Sequence, residues 1–195
     1  MPGIMTPLRL SFVQTFFEPF PYVLSLESLE LDVSYRVLAW FESGAPWRLV
    51  ETDFYEQFEF SLLDAQLPPE LTFLQTPDFL TTVRSRVADL FGAALGERVD
   101  VTAHRLIPGQ LIRLHNDFIA RAETHRLLIQ LNRDWKDENG EFLLFFNSSD
   151  PSDTPKVFRP VHNSALGFAI TPESYHAVST LYTGERFTLV YSFYG

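Results

Sequence analysis

The chain has 195 residues, 46% of them hydrophobic, with 19 Phe, so it can bury one sizeable core and is too short for two comfortable domains. A formal charge of -10 with no run of Lys or Arg argues against a surface that tracks nucleic-acid phosphates. With no cysteine, disulfides, a thiolate nucleophile, thiolate-bound zinc and iron–sulfur ligation are excluded, and any metal must be held by imidazole and carboxylate.

The opening Met1-Pro2-Gly3-Ile4-Met5-Thr6-Pro7 lacks a basic segment followed by an apolar one, and no apolar run is long enough to span a bilayer. A soluble, cytoplasmic chain without a membrane partner is expected. Ser34 to Ser43 reads as a short amphipathic helix with Val37, Leu38 and Phe41 on one side, Asp32 or Ser34 as cap and Gly44 past its end. Trp47 to Val50 and Tyr55 to Phe60 read as extended segments at a sheet edge, and Pro68-Pro69-Glu70 interrupts after them. Thr76-Pro77 is a cap followed by proline at the first helical position, and Phe79, Leu80, Val83, Val87, Leu90 and Phe91 recur at helical spacing until Gly96.

From about residue 99 the texture changes to short strands separated by turn residues, at roughly 99–107, 111–117, 125–132, 141–146, 156–161, 165–170, 175–181 and 186–193. Asn147 to Thr154 is a loop on composition. Eight strands after a helical half predict a mainly β chain with N-terminal helices, an α+β arrangement built on a jelly roll or double-stranded β-helix. We expect one domain over residues 1–195, with 1–98 as a helical support region carrying edge strands and 99–193 as the catalytic core. In the last strand the period is two. Phe187, Leu189, Tyr191 and Phe193 should meet the helices, leaving Arg186 and Thr188 facing the interior.

His115 and Asp117 lie two apart near a strand, which lets both reach one metal ion, and His176 at the start of a later strand is the candidate third ligand. Two histidines and one carboxylate form the facial triad of non-haem iron(II), leaving three positions for a bidentate acid and dioxygen. An arginine inside a barrel is costly without an anion. Arg186 therefore calls for a carboxylate, with the Thr188 hydroxyl as a second donor.

These residues resemble the iron(II)- and 2-oxoglutarate-dependent oxygenases, in particular the prolyl-4-hydroxylase-like branch. The resemblance rests on His115-Asn116-Asp117, His176, Arg186-Phe187-Thr188, the lead-in Gly109-Gln110-Leu111-Ile112-Arg113-Leu114, and Leu131-Asn132-Arg133-Asp134-Trp135 followed by Asn139-Gly140-Glu141-Phe142. It covers about residues 99–193. It implies iron(II) as cofactor, 2-oxoglutarate and dioxygen as co-substrates, Arg186 and Thr188 on the distal carboxylate, and hydroxylation of a peptide, a protein side chain or a free amino acid. Retention of Asp117 argues for hydroxylation over halogenation, because related halogenases carry a small residue there. Two departures stand out: Leu106 occupies the place where many members of this branch have a tyrosine, and the usual double glycine is reduced to Gly140 after Asn139.

Arg126, Gln130 and Asn132 share a strand face by parity and are the candidates for the substrate pocket. His162 reads as a solvated turn residue, His125 as one place off the inward set, and His104 as structural. Trp40, Trp47 and Trp135 read as packing residues, and the acidic groups from Asp134 to Glu141 as a solvated loop bordering the site. The alternative reading is a non-catalytic, cupin-like metal-binding jelly roll acting as a binding or sensor module.

Overall fold

The computed structural model describes residues 7–11, 13–153 and 156–195. The reading of the extreme N-terminus therefore falls, except for Pro7, outside the described residues, as does the end of the loop at Thr154. Strands β1 (Leu8–Ser11), β2 (Gln14–Phe16), β3 (Tyr22–Ser25) and β4 (Glu27–Leu29) precede helix α1 (Leu31–Ser43), and β5 (Arg48–Glu51) and β6 (Glu56–Ser61) precede helix α2 (Pro77–Phe91). Eight strands follow: β7 (Val99–Leu106), β8 (Ile112–His115), β9 (Glu123–Gln130), β10 (Leu143–Phe145), β11 (Lys156–Phe158), β12 (Ala165–Ala169), β13 (His176–Val178) and β14 (Arg186–Tyr194). No helix among the described residues is long and apolar enough to cross a membrane.

The strands form a jelly roll. One sheet runs β2-β3-β12-β9-β14-β7-β6-β5 and the facing one β11-β10-β13-β8, with every pairing antiparallel. Residue alternation on the long strands divides the apolar residues into two cores. Val99, Val101 and Ala103 of β7, Leu127 and Ile129 of β9, and Phe187, Leu189, Tyr191 and Phe193 of β14 pack outward against Val37, Leu38 and Phe41 of α1 and Phe79, Val83 and Val87 of α2. Leu106, Leu128 and Val190 point the other way and meet Leu143, Phe145 and Val178 of the smaller sheet. The edge-on aromatic pairs of Trp47 with Phe60 and Phe41 tie the β5–β6 edge to the outer core.

Both helices exist for the reasons the sequence predicts, with different ends. On α2 the Thr76 hydroxyl accepts from the Phe79 N–H, and the helix stops at Gly92, whose φ of 61° only glycine adopts without cost, before the expected Gly96. On α1 the helix begins three residues early. Glu30 is the N-cap and makes no side-chain cap bond, while the Ser34 hydroxyl returns to the Leu31 carbonyl, so neither Asp32 nor Ser34 caps it.

Candidate metal centre and co-substrate cavity

Strand β8 ends at His115, and its partner across the smaller sheet is His176 at the first position of β13. This register brings the two rings to 4.2 Å between centroids. The His115 Nδ1 faces the Arg113 carbonyl at 2.7 Å and the His176 Nδ1 faces the Ser174 carbonyl at 2.8 Å. A carbonyl only accepts, so each Nδ1 donates, and each Nε2 is the ring nitrogen left to face a metal. Asp117 lies beyond the strand, in the loop that follows. Strand parity therefore explains His115 only, and Asp117 reaches the histidines because the chain turns after β8. The ligand atoms of His115, Asp117 and His176 lie within 4.8 Å of one another. Two imidazoles and a carboxylate at that spacing fit iron(II) as a facial set.

Arg126 of β9 fixes the carboxylate. Its Nη1 donates to Asp117 Oδ2 at 2.5 Å, while Nε and Nη2 hold both oxygens of Glu123 at 2.9 and 2.7 Å. Burial alone would push the Asp117 carboxyl up; the His115 and His176 rings beside it and the Arg126 charge outweigh it and hold the group well below the usual carboxylate range. Burial depresses the His176 imidazole, with Asp117 opposing, so the ring is neutral and ready to ligate.

Between the sheets lies a cavity of about 60 Å³ lined by both histidines, Arg126, His104, Gln57, Arg186 and Thr188, with apolar side chains completing the wall. Arg186, at the start of β14, is 4% exposed and makes no hydrogen bond to the described protein. A buried guanidinium without an acceptor fits a ligand carboxylate, since the described residues supply none at bonding distance. Thr188 stands two residues along the same face and donates to Gln130 Oε1 at 3.0 Å. That bond takes the hydroxyl proton, so the unpartnered Gln130 amide nitrogen is the free donor on this wall. Gln130 and Arg186 also border a larger cavity of about 520 Å³ on the side of β11 and β12.

The remaining sequence candidates divide. Arg126 lines the cavity but is committed to two carboxylates. Asn132 is turned into the framework: its amide donates to the Pro160 carbonyl at 2.8 Å and accepts from the Phe187 N–H at 2.7 Å. His104, expected to be structural, lines the cavity instead, because it shares inward parity with Leu106 on β7. Burial and the charges of Arg126 and Arg186 depress it to about 3, so it is a neutral imidazole at physiological pH. Glu141, expected in a solvated loop, is 0% exposed and faces Arg186. Parity along β7 was the readable signal for His104; for Glu141 the signal was its place after Gly140 in the Asn139–Phe142 segment, at the start of an expected strand. The β5–β6 turn closes one side, with the Phe54 ring 4.5 Å from that of His115 and its carbonyl accepting from the Arg113 N–H.

Residues 101–193 match the family model of the 2OG-Fe(II) oxygenase superfamily. No curated protein sequence matches the chain. Among solved structures, the fold is similar to a Pseudomonas putida prolyl-4-hydroxylase, with 16% identity, a TM-score of 0.72, and coverage of 89% of this chain and 91% of that one. It is also similar to a Trichoplax adhaerens prolyl hydroxylase in complex with a hypoxia inducible factor oxygen degradation domain peptide fragment, with 14% identity, a TM-score of 0.67 and coverage of 89% and 83%. A 2OG-Fe(II) oxygenase family oxidoreductase from Burkholderia pseudomallei gives 18% identity, a TM-score of 0.64 and coverage of 89% and 85%.

Proposed function

We infer that this chain, an iron(II)- and 2-oxoglutarate-dependent oxygenase of the 2OG-Fe(II) superfamily through its residues 101–193, hydroxylates an unactivated C–H bond in a peptide or protein side chain. The observation that carries the reading is a buried arginine without a protein acceptor in the same cavity as a His-Asp-His set. His115, Asp117 and His176 would hold the iron, and Arg186 with Gln130, itself oriented by the Thr188 hydroxyl, the distal carboxylate of 2-oxoglutarate. Bound iron(II), 2-oxoglutarate and dioxygen supply the oxidation: one oxygen atom enters the substrate as hydroxyl, the other enters succinate, and carbon dioxide leaves. The chain's own part is geometric. Arg126 keeps Asp117 in one orientation, the two main-chain carbonyls fix the imidazole tautomers, and Phe168, packed edge-on to His176 at 5.0 Å, excludes water from one side of the centre.

A free amino acid is the weaker substrate class, because Arg126 is already paired with Asp117 and Glu123 and offers its charge to no substrate carboxylate. An extended chain suits the groove of about 510 Å³ beside Phe54, Tyr55, Pro108 and Leu111, which reaches the metal centre through the contact of Phe54 with the His115 ring. The Trichoplax adhaerens relative, solved with a peptide fragment, adds support.

The test is an anaerobic titration of iron(II)-loaded protein with 2-oxoglutarate, following the metal-to-ligand charge-transfer band, then succinate release with a peptide panel in air. A band in the parent, lost in His176→Ala and requiring far more 2-oxoglutarate in Arg186→Ala, is expected. Iron binding without a band, or peptide-independent behaviour throughout, would overturn respectively the co-substrate site and the substrate class.

A further inference from the structure

We propose that Glu141 is a positioning residue for the co-substrate anchor, bracing the Nε edge of Arg186 and leaving the two terminal guanidinium nitrogens for the distal carboxylate of a 2-oxo dicarboxylic acid. This rests on Arg186 being that anchor.

Glu141 sits where folding stability alone would not put a carboxyl group. It is fully buried, and neither side-chain oxygen has a hydrogen-bond partner among the described residues. An unpartnered buried polar group is costly, and a leucine of similar size would avoid the cost. The backbone is also strained. Glu141 has φ 57° and follows Gly140 at φ 80°, where an added Cβ would lie 2.2 Å from the Thr180 carbonyl oxygen. The Glu141 N–H donates to that same carbonyl at 3.1 Å, so the close approach of the two segments aims the side chain inward.

What it meets there is Arg186. The nearest contact runs from Glu141 Oε2 to Arg186 Nε at 4.0 Å, an ion-pair distance rather than a hydrogen bond. Nε is the one Arg186 nitrogen that is both sealed from solvent and without a partner; the terminal nitrogens open to the cavities on either side. The guanidinium thus turns its Nε edge toward Glu141 and offers the other.

The arrangement has a charge consequence. Arg186 on β14 is the charged group acting on Glu141; the segment after β13 meets it with the main chain of Thr180 and Leu181. Burial pushes the Glu141 carboxyl up to about 8 against the pull of Arg186. Below that value Glu141 is neutral and Arg186 offers its full charge to an incoming carboxylate. Above it Glu141 is ionised, Arg186 is already matched, and a second anion must displace the balance or bring a proton with it. Binding of a dicarboxylic 2-oxo acid is therefore linked to proton uptake, whereas pyruvate, which has no distal carboxylate, does not feel Glu141.

The experiment is anaerobic titration of the iron(II)-loaded protein with 2-oxoglutarate and with pyruvate from about pH 6.5 to 9.5, with calorimetry in two buffers of different ionisation enthalpy. In the parent, the 2-oxoglutarate dissociation constant should stay flat to about pH 8 and then rise up to about tenfold per unit, with buffer-dependent heat showing proton uptake. Glu141→Gln should bind as tightly as the parent at low pH, with a flat profile and no proton uptake, and the pyruvate profile should not change between the two proteins. Glu141→Leu serves as the charge-free substitute if the glutamine variant does not fold. A parent profile that pyruvate reproduces, or one that the neutral variants retain while Arg186→Ala abolishes affinity, overturns the role of Glu141 and leaves the anchor standing. Unchanged affinity in Arg186→Ala overturns both.

Discussion

At the scale of single residues, the centre is a set of charges that neutralise one another before any ligand arrives. Asp117 is held by Arg126, and Arg126 by Glu123, so removing the cation leaves two partly buried carboxylates facing each other. Arg126→Ala should lose about 3 kcal/mol of stability in urea titration, the usual result of breaking a buried pair on one side. It should also weaken iron affinity by about 10- to 100-fold, as loss of a group that orients a ligand does. His104 gives a pH signature. Its folded value, about 3, lies below that of the unfolded chain, so it favours the folded state above about pH 6.5 and loses that contribution as pH falls toward 3. The acid limb of a stability–pH curve, measured by chemical denaturation, should flatten in His104→Gln. The ligands were legible because their chemistry is rare and their order distinctive. His104 has no carboxylate beside it in the sequence and so reads as structural, yet the alternation that places Leu106 inward carries it along. The inward orientation of Glu141 was hidden for a physical reason: it depends on a main-chain contact with Thr180, 39 residues away and unmarked in composition.

At the scale of elements, the strands of the second half follow from alternation and turn chemistry, and their places in the chain agree with the structure to within a few residues at each end. The four short strands before α1 left no comparable mark. None exceeds four residues, too few for a period of two to declare itself, and β2 and β3 form only by adding to a sheet edge already built from β12. Helix ends were set by single contacts. Thr76→Ala should cost α2 about 1 kcal/mol in thermal or urea unfolding and leave 2-oxoglutarate affinity unchanged, because this end packs on the outer core and not on the cavity. Gly140→Ala should behave differently. The added methyl separates Glu141 from the Thr180 carbonyl, so destabilisation of about 1–3 kcal/mol should come with a changed co-substrate pH profile.

At the scale of the whole molecule, the two sheets divide the chemistry. The smaller one carries His115 and His176, while the larger carries Arg126, Gln130, Arg186 and Thr188, so the cavity exists only where the sheets face each other. A divalent ion joins segments 61 residues apart and should stabilise the fold: with manganese(II) at about 100 times its dissociation constant, unfolding should require about 2.7 kcal/mol more, an increment absent in His176→Ala. The β5–β6 hairpin stands at the far edge of the larger sheet, yet its turn lays Phe54 beside the ring of His115. That contact makes the edge of the molecule a vantage point on its centre. An indole in place of Phe54 would sit within quenching range of a paramagnetic ion, so the emission of Phe54→Trp, taken as a difference from the three native tryptophans, should dim as iron(II) loads.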